Sequence, residues 1–467
     1  VLGRFLELLA SRGHVTVLHG IPAELVPRYR SPFKDEVDWR ALTDYRETPA
    51  TAVLRYALAY AQMYWVATES MRFNLRRPVR GSWRTRGIHA VAKLAGRLGG
   101  SPRGIRLLDR WHTTAVNRLP VVEAYRRLFA RVQPEILFCS HQRPPVVLPP
   151  VLAARSLGIP TATFIFSWDN LSSKGRIAAP FDHYLVWSPL MRDELLRFYP
   201  DVSPDRVHVV GTPQFDPYTD ADLTLSREKF CAQIGCDPSR PLICYSGGDV
   251  GNCPEDPHHV RILMALIRAG RISRNPQVLL RPSPVDDGRR YEQVRREYPE
   301  LRYLPPAWTH TDPGNWSQVF PLDADLGLLA NLTRHADLNV NFGSTMTLDF
   351  GLHDKPVVIP VIDVTSPPVH GIPLLEFCLQ FEHFRPVAEL GAARFARSEE
   401  ELATAINRYL DDPSLDREGR RRLAAMQVMS PLGSSSSRIV DVLARVASQS
   451  TPRGADGRTF QPAEQFV

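Results

Sequence analysis

The sequence predicts an α/β protein of two Rossmann-like domains facing a cleft, with a helical insertion in the first domain. Short apolar, β-branched runs alternate with helical periods in two separate series, one over 15–210 and one over 241–360. Many of these runs end in Gly- or Ser-containing loops that lead into a helix, the pattern of parallel strands with crossover helices. The length of 467 residues, at 43% hydrophobic and 23% charged, allows two or three domains, each with its own core. The 41 prolines are spread over many turns and form no low-complexity block, which excludes a wholly disordered chain.

The series begins with a helix around Phe5–Leu9, then Gly13-His14 and a strand at 15–18. The chain opens inside that helix, so a first strand and its glycine turn are expected upstream. Residues 33–115 break the rhythm and read as a mostly helical insertion. Strands follow at 134–139, 161–166, 184–187 and 207–210, with helices between them. The second series has strands at 241–245, 277–281, 336–341 and 356–360, and helices at 398–411 and 416–447 close it. The expected domains are therefore 1–212 and 213–447, with a disordered tail over 448–467. The last long helix is expected to cross back to the first domain.

Five strand-end segments carry chemistry. Gly343-Ser344-Thr345 turns from a buried strand into a helix, where free backbone N–H groups and the helix dipole favour a phosphate. Asp349, one turn on, is placed to meet ribose hydroxyls. The alternative is an ordinary Ser/Thr cap beside a solvated Asp. Gly247 and Gly248 follow the first strand of the second half and let backbone approach a ligand closely, or form a flexible turn. Arg281, at a strand's carboxyl end, is expected to pair with a diphosphate, or else to bridge two loops. Trp168, Asp169, Asn170 and Lys174 converge after the 161–166 strand and read as an acceptor site or a hinge. His141 follows the 134–139 strand. His141 or Asp169 is the expected general base, against a structural histidine and a loop-capping aspartate.

Net charge is +7, from 57 Lys+Arg against 50 Asp+Glu. That excess suits anionic ligands and gives no nucleic-acid signal by itself. The stretch 72–110 holds eleven Lys/Arg against the single acid Asp109, with Phe73, Trp83, Leu94 and Leu98 interleaved. It reads either as a solvated arginine-rich face or as a contact with an anionic membrane surface. The six cysteines form no CxxC pair and have no His at zinc spacing, so buried, reduced thiols are expected. No apolar run reaches membrane-spanning length and no signal-peptide pattern is read, so the expectation is a cytoplasmic protein, peripheral at the inner face of the membrane.

These residues resemble a family. Ser11-Arg12-Gly13-His14-Val15, Ser167-Trp168-Asp169-Asn170 with Lys174, Val209-Val210-Gly211-Thr212-Pro213, and Gly343 to Asp349 with Lys355-Pro356-Val357 are similar to glycosyltransferases of the GT-B fold. The likeness is to those of bacterial surface-polysaccharide biosynthesis, and more loosely to UDP-N-acetylglucosamine 2-epimerases and CDP-glycerol glycerophosphotransferases. The resemblance implies a nucleotide-sugar donor in the second half, a carbohydrate or lipid-linked acceptor in the first, and neither metal nor cofactor. It implies phosphate contacts from Ser344 and Thr345 and a ribose contact from Asp349, where many relatives carry Glu. Many relatives also carry a His-Pro pair where this chain has Arg281-Pro282-Ser283-Pro284, so no catalytic histidine carries over there. An epimerase or glycerophosphate transferase is the same-fold alternative, and a non-catalytic nucleotide-binding protein is the alternative of another class.

Overall fold

A computed structural model describes residues 4–33, 36–79, 81–312 and 316–449. The described residues form two compact units, divided between Thr212 and Pro213, and residues 434–449 return to the first. Among the described residues fourteen strands run in chain order. They are β1 (Val15–His19), β2 (Val37–Ala41), β3 (Leu137–Cys139), β4 (Thr161–Phe164), β5 (His183–Val186), β6 (Val207–Val209) and β7 (Leu242–Ser246), then β8 (Gln277–Arg281), β9 (Arg302–Tyr303), β10 (Trp308–His310), β11 (Val319–Pro321), β12 (Leu338–Asn341), β13 (Val357–Pro360) and β14 (Arg394–Ala396).

The first unit holds a four-stranded sheet in the order β3-β4-β5-β6, parallel throughout, and a separate parallel pair, β1-β2. Strands β4 and β5 are buried along their whole length, as strands of a covered parallel sheet are, with Thr161 and Thr163 among the buried residues of β4. Strand β2 lies inside the stretch expected to be helical, so the insertion proper starts with the helix Pro49–Val66. Its helices begin at side-chain caps legible in the sequence. Thr48, Thr68, Ser82 and Ser101 accept from the backbone N–H groups of Thr51, Met71, Thr85 and Gly104. Ala57, Leu58, Ala61, Ala92, Ile105 and Leu108 give these helices a core of their own.

The second unit is built on a six-stranded sheet in the order β14-β13-β12-β7-β8-β9, parallel at every pair. The chain fills β7, β8 and β9 outward in one direction. It then crosses back to β12 and fills β13 and β14 in the other. The reversal lies between β7 and β12, and such a switch point leaves a crevice beyond the strands' carboxyl ends. Ile243, Tyr245, Val278, Leu280, Leu338 and Val340 pack on the helices Asp256–Arg268 and Glu399–Asp411 through Val260, Leu263, Leu402 and Ile406. The hairpin β10-β11 stands apart from this sheet.

The expected helix over 416–447 is two helices, Arg417–Gln427 and Ser435–Gln449, interrupted at the Ser430-Pro431 bond. Proline cannot continue the helix because it lacks the N–H and clashes with the preceding turn. The second helix belongs to the first unit, where Arg438 donates from Nε to the Val210 carbonyl at 2.8 Å. The expected second domain, drawn to 447, therefore stops at Gly433. Of the expected tail, Ser448 and Gln449 are helical and the rest lies outside the described residues.

Two glycines of the helix Trp83–Leu98 test the packing of the insertion. A Cβ on Gly96 would lie 2.5 Å from the Tyr60 Cβ and 2.9 Å from the Ala57 carbonyl, whereas one on Gly87 meets nothing within 4 Å. Gly96→Ala is predicted to destabilise the protein by about 1–3 kcal/mol through overpacking. Gly87→Ala is predicted to stabilise it by about 0.5–1 kcal/mol. Urea titration of the two variants beside the parent checks both signs.

Candidate functional site

The second unit gathers three of the five expected segments at one sheet edge. Register pairs Asn341 with Ser246 and Ser246 with Arg281, so the carboxyl ends of β12, β7 and β8 stand side by side. Gly247-Gly248 leaves β7, Pro282 leaves β8, and Gly343-Ser344-Thr345 leaves β12. All three turns therefore open at the switch point.

A buried polar ladder fixes this edge from below. The Asn339 Nδ2 donates to the Cys244 carbonyl at 2.9 Å and to Ser246 Oγ at 2.8 Å. The Asn341 Nδ2 donates to Asn339 Oδ1 at 2.7 Å, and Asn341 Oδ1 accepts from the Ser344 N–H at 3.0 Å. The corner is thus tied to the strand it leaves. Gly343 has φ +61, a left-handed conformation that favours glycine. Ser344 Oγ accepts from the Met346 N–H at 3.2 Å. The N–H groups of Gly343 and Thr345 make no hydrogen bond to the described residues, and this corner is solvent-accessible. The helix that follows, Met346–Leu352, spans only seven residues. The corner thus offers two open backbone donors and two hydroxyls.

Gly247 and Gly248 owe their identity to space. A Cβ on Gly247 would collide with the Tyr291 hydroxyl, and one on Gly248 with the Cys253 thiol. The turn is clamped by two residues with no motif to announce them. Asp256 Oδ2 accepts from the Gly248 N–H at 2.7 Å, and its Oδ1 accepts from the Tyr245 hydroxyl at 2.7 Å. Arg290 donates from Nη2 to the Gly248 carbonyl at 2.7 Å and pairs with Asp286 at 2.5 Å. Beside it the Trp316 indole, half exposed, donates to Asp249 Oδ2 at 2.8 Å.

Arg281 is held differently from the expectation. It is buried, and its Nη2 donates to both carboxylate oxygens of Asp325, at 2.9 and 2.8 Å. Asp325 also accepts from the Ala307 N–H and the Trp308 indole, each at 2.8 Å. The guanidinium charge is therefore matched inside the protein, and only its Nη1 is left as a buried donor without a partner. Asp349 is likewise withdrawn. It is fully buried, and the Tyr218 hydroxyl donates to its Oδ1. A carboxylate so enclosed does not reach a ribose in this state.

In the first unit the loops after β3 and β4 form a second cluster. The register Cys139 to Thr163 sets these strand ends side by side. Gln142, unforeseen in the sequence, is its centre. The Gln142 side chain is buried, donates from Nε2 to Asn170 Oδ1 at 2.8 Å and accepts from the Phe166 N–H at 3.0 Å. The Asn170 Nδ2 donates to Asp169 Oδ1 at 2.9 Å, the Ser173 hydroxyl to Asp169 Oδ2 at 3.0 Å, and Lys174 Nζ stands 3.4 Å from the same oxygen. Trp168 is buried in the core. The insertion grips this loop from outside, with Thr68 Oγ1 donating to the Ser172 carbonyl at 2.6 Å and Asn74 Nδ2 to that of Ser173 at 3.0 Å.

Neither expected base presents an open acceptor in this cluster. The His141 ring stacks on Phe166 at 4.5 Å, and its Nδ1 accepts from the Arg143 N–H at 3.2 Å. Burial, and then the Arg143 charge, push the His141 imidazole down to about 4. A neutral ring that accepts at Nδ1 carries its proton on Nε2, where it is a donor. The Asp169 carboxylate is engaged by Asn170, Ser173 and Lys174.

No family model matches the chain. A curated relative, the lipid-A-disaccharide synthase of Geobacter sulfurreducens, is 23% identical over 233 residues, 47% of this chain and 53% of that protein. The chain thus spans about half the length of the curated relative it matches. Among solved structures, the UDP-GlcNAc 2-epimerase from Methanocaldococcus jannaschii is similar at a TM-score of 0.46 and 13% identity, covering 93% of this chain and all of that one. The S. aureus MnaA co-structure with UDP is similar at a TM-score of 0.44 and 13% identity, covering 72% of this chain and 79% of that one. The α/β assignment rests on the strand register rather than on these likenesses.

Burial pushes the Asp349 carboxyl up to about 6, against an ordinary value near 3.8, although the Tyr218 hydrogen bond pulls it down. The folded state then holds this proton more tightly than the unfolded chain does. Its contribution to stability is full below about pH 4 and is lost as pH rises through about 6. Asp349→Asn is predicted to stabilise the protein at pH 7.5 by up to about 3 kcal/mol, with the gain shrinking toward pH 5. Thermal unfolding of parent and variant across that range checks it.

Proposed function

We propose that the protein is a glycosyltransferase that takes a sugar from a nucleotide-sugar donor and delivers it to a glycan or lipid-linked acceptor at the inner face of a membrane. The observation that carries this reading is the convergence of Gly247-Gly248, Arg281 and Gly343-Ser344-Thr345 on the switch point of the second sheet. Switch-point crevices are where doubly wound sheets take nucleotides. The likeness to a lipid-A-disaccharide synthase supports the transferase chemistry, and likeness to a protein bound to UDP agrees with it.

In this reading the open N–H groups of Gly343 and Thr345 and the hydroxyls of Ser344 and Thr345 hold the donor's diphosphate. Donors fixed before the reaction stabilise charge as it develops on the leaving group, without reorganisation cost. No resident metal or cofactor is invoked. Arg281 lies beneath the turns, its charge matched and its position held by Asp325, with the Nη1 donor buried and unpartnered. The acceptor belongs to the loops after β3 and β4. There the stacked His141–Phe166 pair offers an aromatic face to a sugar ring, with the Nε2 of His141 as a donor.

The test removes donors from the corner. Thr345 has φ −56, which proline adopts without strain, so Thr345→Pro deletes its N–H together with its hydroxyl. Ser344→Ala deletes a hydroxyl. UDP-, GDP-, CDP- and TDP-sugars are screened by thermal shift, because a ligand of the native state raises its melting point. One nucleotide class is predicted to stabilise the parent, Ser344→Ala to weaken its binding about tenfold, the size expected for one hydrogen bond to a charged group, and Thr345→Pro to weaken it at least as much. Equal shifts in parent and variants would remove the corner from the site. Interconversion of the free nucleotide sugar without acceptor would turn the reading to an epimerase.

A further inference from the structure

The helix Trp83–Leu98 is built inside out. The face it packs on the helix Pro49–Val66 is made of small residues, with Ala92 and Gly96 fully buried and Ala95 beside them. Its large apolar residues point to solvent instead. Trp83 is 73% exposed, Val91 58%, Leu94 64% and Leu98 81%. At 100° per residue these four fall within an arc of about 80°, a single stripe along the helix. Ala90 and Gly87, both exposed, lie within or at the border of that arc and add no charge to it.

The stripe has a charged border of one sign. Arg86 and Arg97 fall on one side of it and Arg84 on the other, and the helix contains no Asp or Glu. The next helix, Pro102–Asn117, repeats the arrangement, with Leu107 and Trp111 about half exposed among Arg103, Arg110 and Arg118. Its single acid, Asp109, is turned inward to Arg176 at 3.4 Å. Arg84, Arg86, Arg97, Arg103 and Arg110 pair with no acid among the described residues. Arg84 lies instead over the Trp83 ring, 5.4 Å from its centroid.

We infer that the exposed faces of these two helices seat the protein on an anionic lipid surface, with Trp83, Val91, Leu94 and Leu98 entering the acyl boundary and the arginines meeting the headgroup phosphates. A solvated arginine-rich face explains the charges but not four large apolar residues in their midst. An apolar stripe of this kind between cationic flanks matches a helix lying in the membrane interface. No helix among the described residues is long and apolar enough to cross a bilayer. Charge selects the occupant: five of its arginines pair with no acid among the described residues while Arg106 pairs with Asp201 at 3.1 Å, so the face keeps an excess of positive charge that suits headgroup phosphates, whereas a second copy would bring like charges together. The inference bears on where the proposed transfer takes place but does not rest on it, since vesicle binding needs neither donor nor turnover.

The test is flotation of the full chain with vesicles of phosphatidylcholine alone and with 30% phosphatidylglycerol. Preferential binding to the anionic vesicles is expected, weakened at least tenfold by Leu94→Ser with Leu98→Ser, and separately by Arg84→Gln with Arg97→Gln. Because all four side chains are exposed, the variants are expected to keep the parent's melting temperature, which is measured alongside. Brominated acyl chains are expected to quench tryptophan emission in the parent and less in Trp83→Phe. No binding to anionic vesicles overturns the inference. So does binding that both pairs of substitutions leave unchanged, or a self-association of the parent that the leucine variant abolishes while no vesicle binding is seen.

Discussion

The parallel register that sets Asn341, Ser246 and Arg281 in one row is the constraint on which the second unit depends. Each of these residues ends a strand, and each is followed by a turn that opens at the same edge. The row survives burial because its polar groups are bonded to one another. Asn339 ties β12 to β7, and Asn341 ties β12 to its own turn. Buried amides are costly when unpaired and rigid when paired, so a ladder of this kind fixes register as well as stability. A slip by one residue would carry the Asn pair into the apolar core and take the Gly343 corner out of reach of the Gly247 turn.

Around that row, two buried acids do the positioning. Asp325 gathers Arg281, the Trp308 indole and the Ala307 amide, while Asp256 gathers the Gly248 amide, Tyr245 and the neighbourhood of Arg290. Removing either acid would strand a buried cation or leave donors unsatisfied, which is among the most destabilising changes a protein suffers. The loops at this edge are therefore fixed before any ligand arrives, as preorganised sites require. In the first unit Gln142 serves the loop after β4 in the same way, bonded to both Asn170 and the Phe166 backbone.

Much of this architecture is legible in the sequence, for a definite reason. Strands buried on both faces read as mostly apolar runs, so β5, β7, β8 and β13 stand out together with the turns at their ends, while β4 and β12 set buried Thr161, Thr163, Asn339 and Asn341 among their apolar residues. Strand β2 escapes because Val37-Asp38-Trp39-Arg40-Ala41 alternates polar and apolar at the margin of a sheet of only two strands. Strand β14 and the β10-β11 hairpin are three-residue strands, too short to show a period. Which residues lie at the edge follows from strand order, but what their side chains hold does not. Arg281 and Asp349 read from the sequence as ligand contacts because their partners, Asp325 and Tyr218, are 44 and 131 residues away and nothing in the local pattern announces them. The stretch 72–110 shows no single amphipathic period because it spans parts of three helices, and only the separate wheels reveal the apolar stripe.

Amide hydrogen exchange of the full chain, with and without a saturating nucleotide sugar, addresses the central claim most directly. A ligand held at the switch point slows exchange in the peptides covering 246–252 and 341–347 and leaves the insertion helices unchanged. Protection confined to the first unit, or a bound nucleotide that slows neither of those two peptides, would contradict the account.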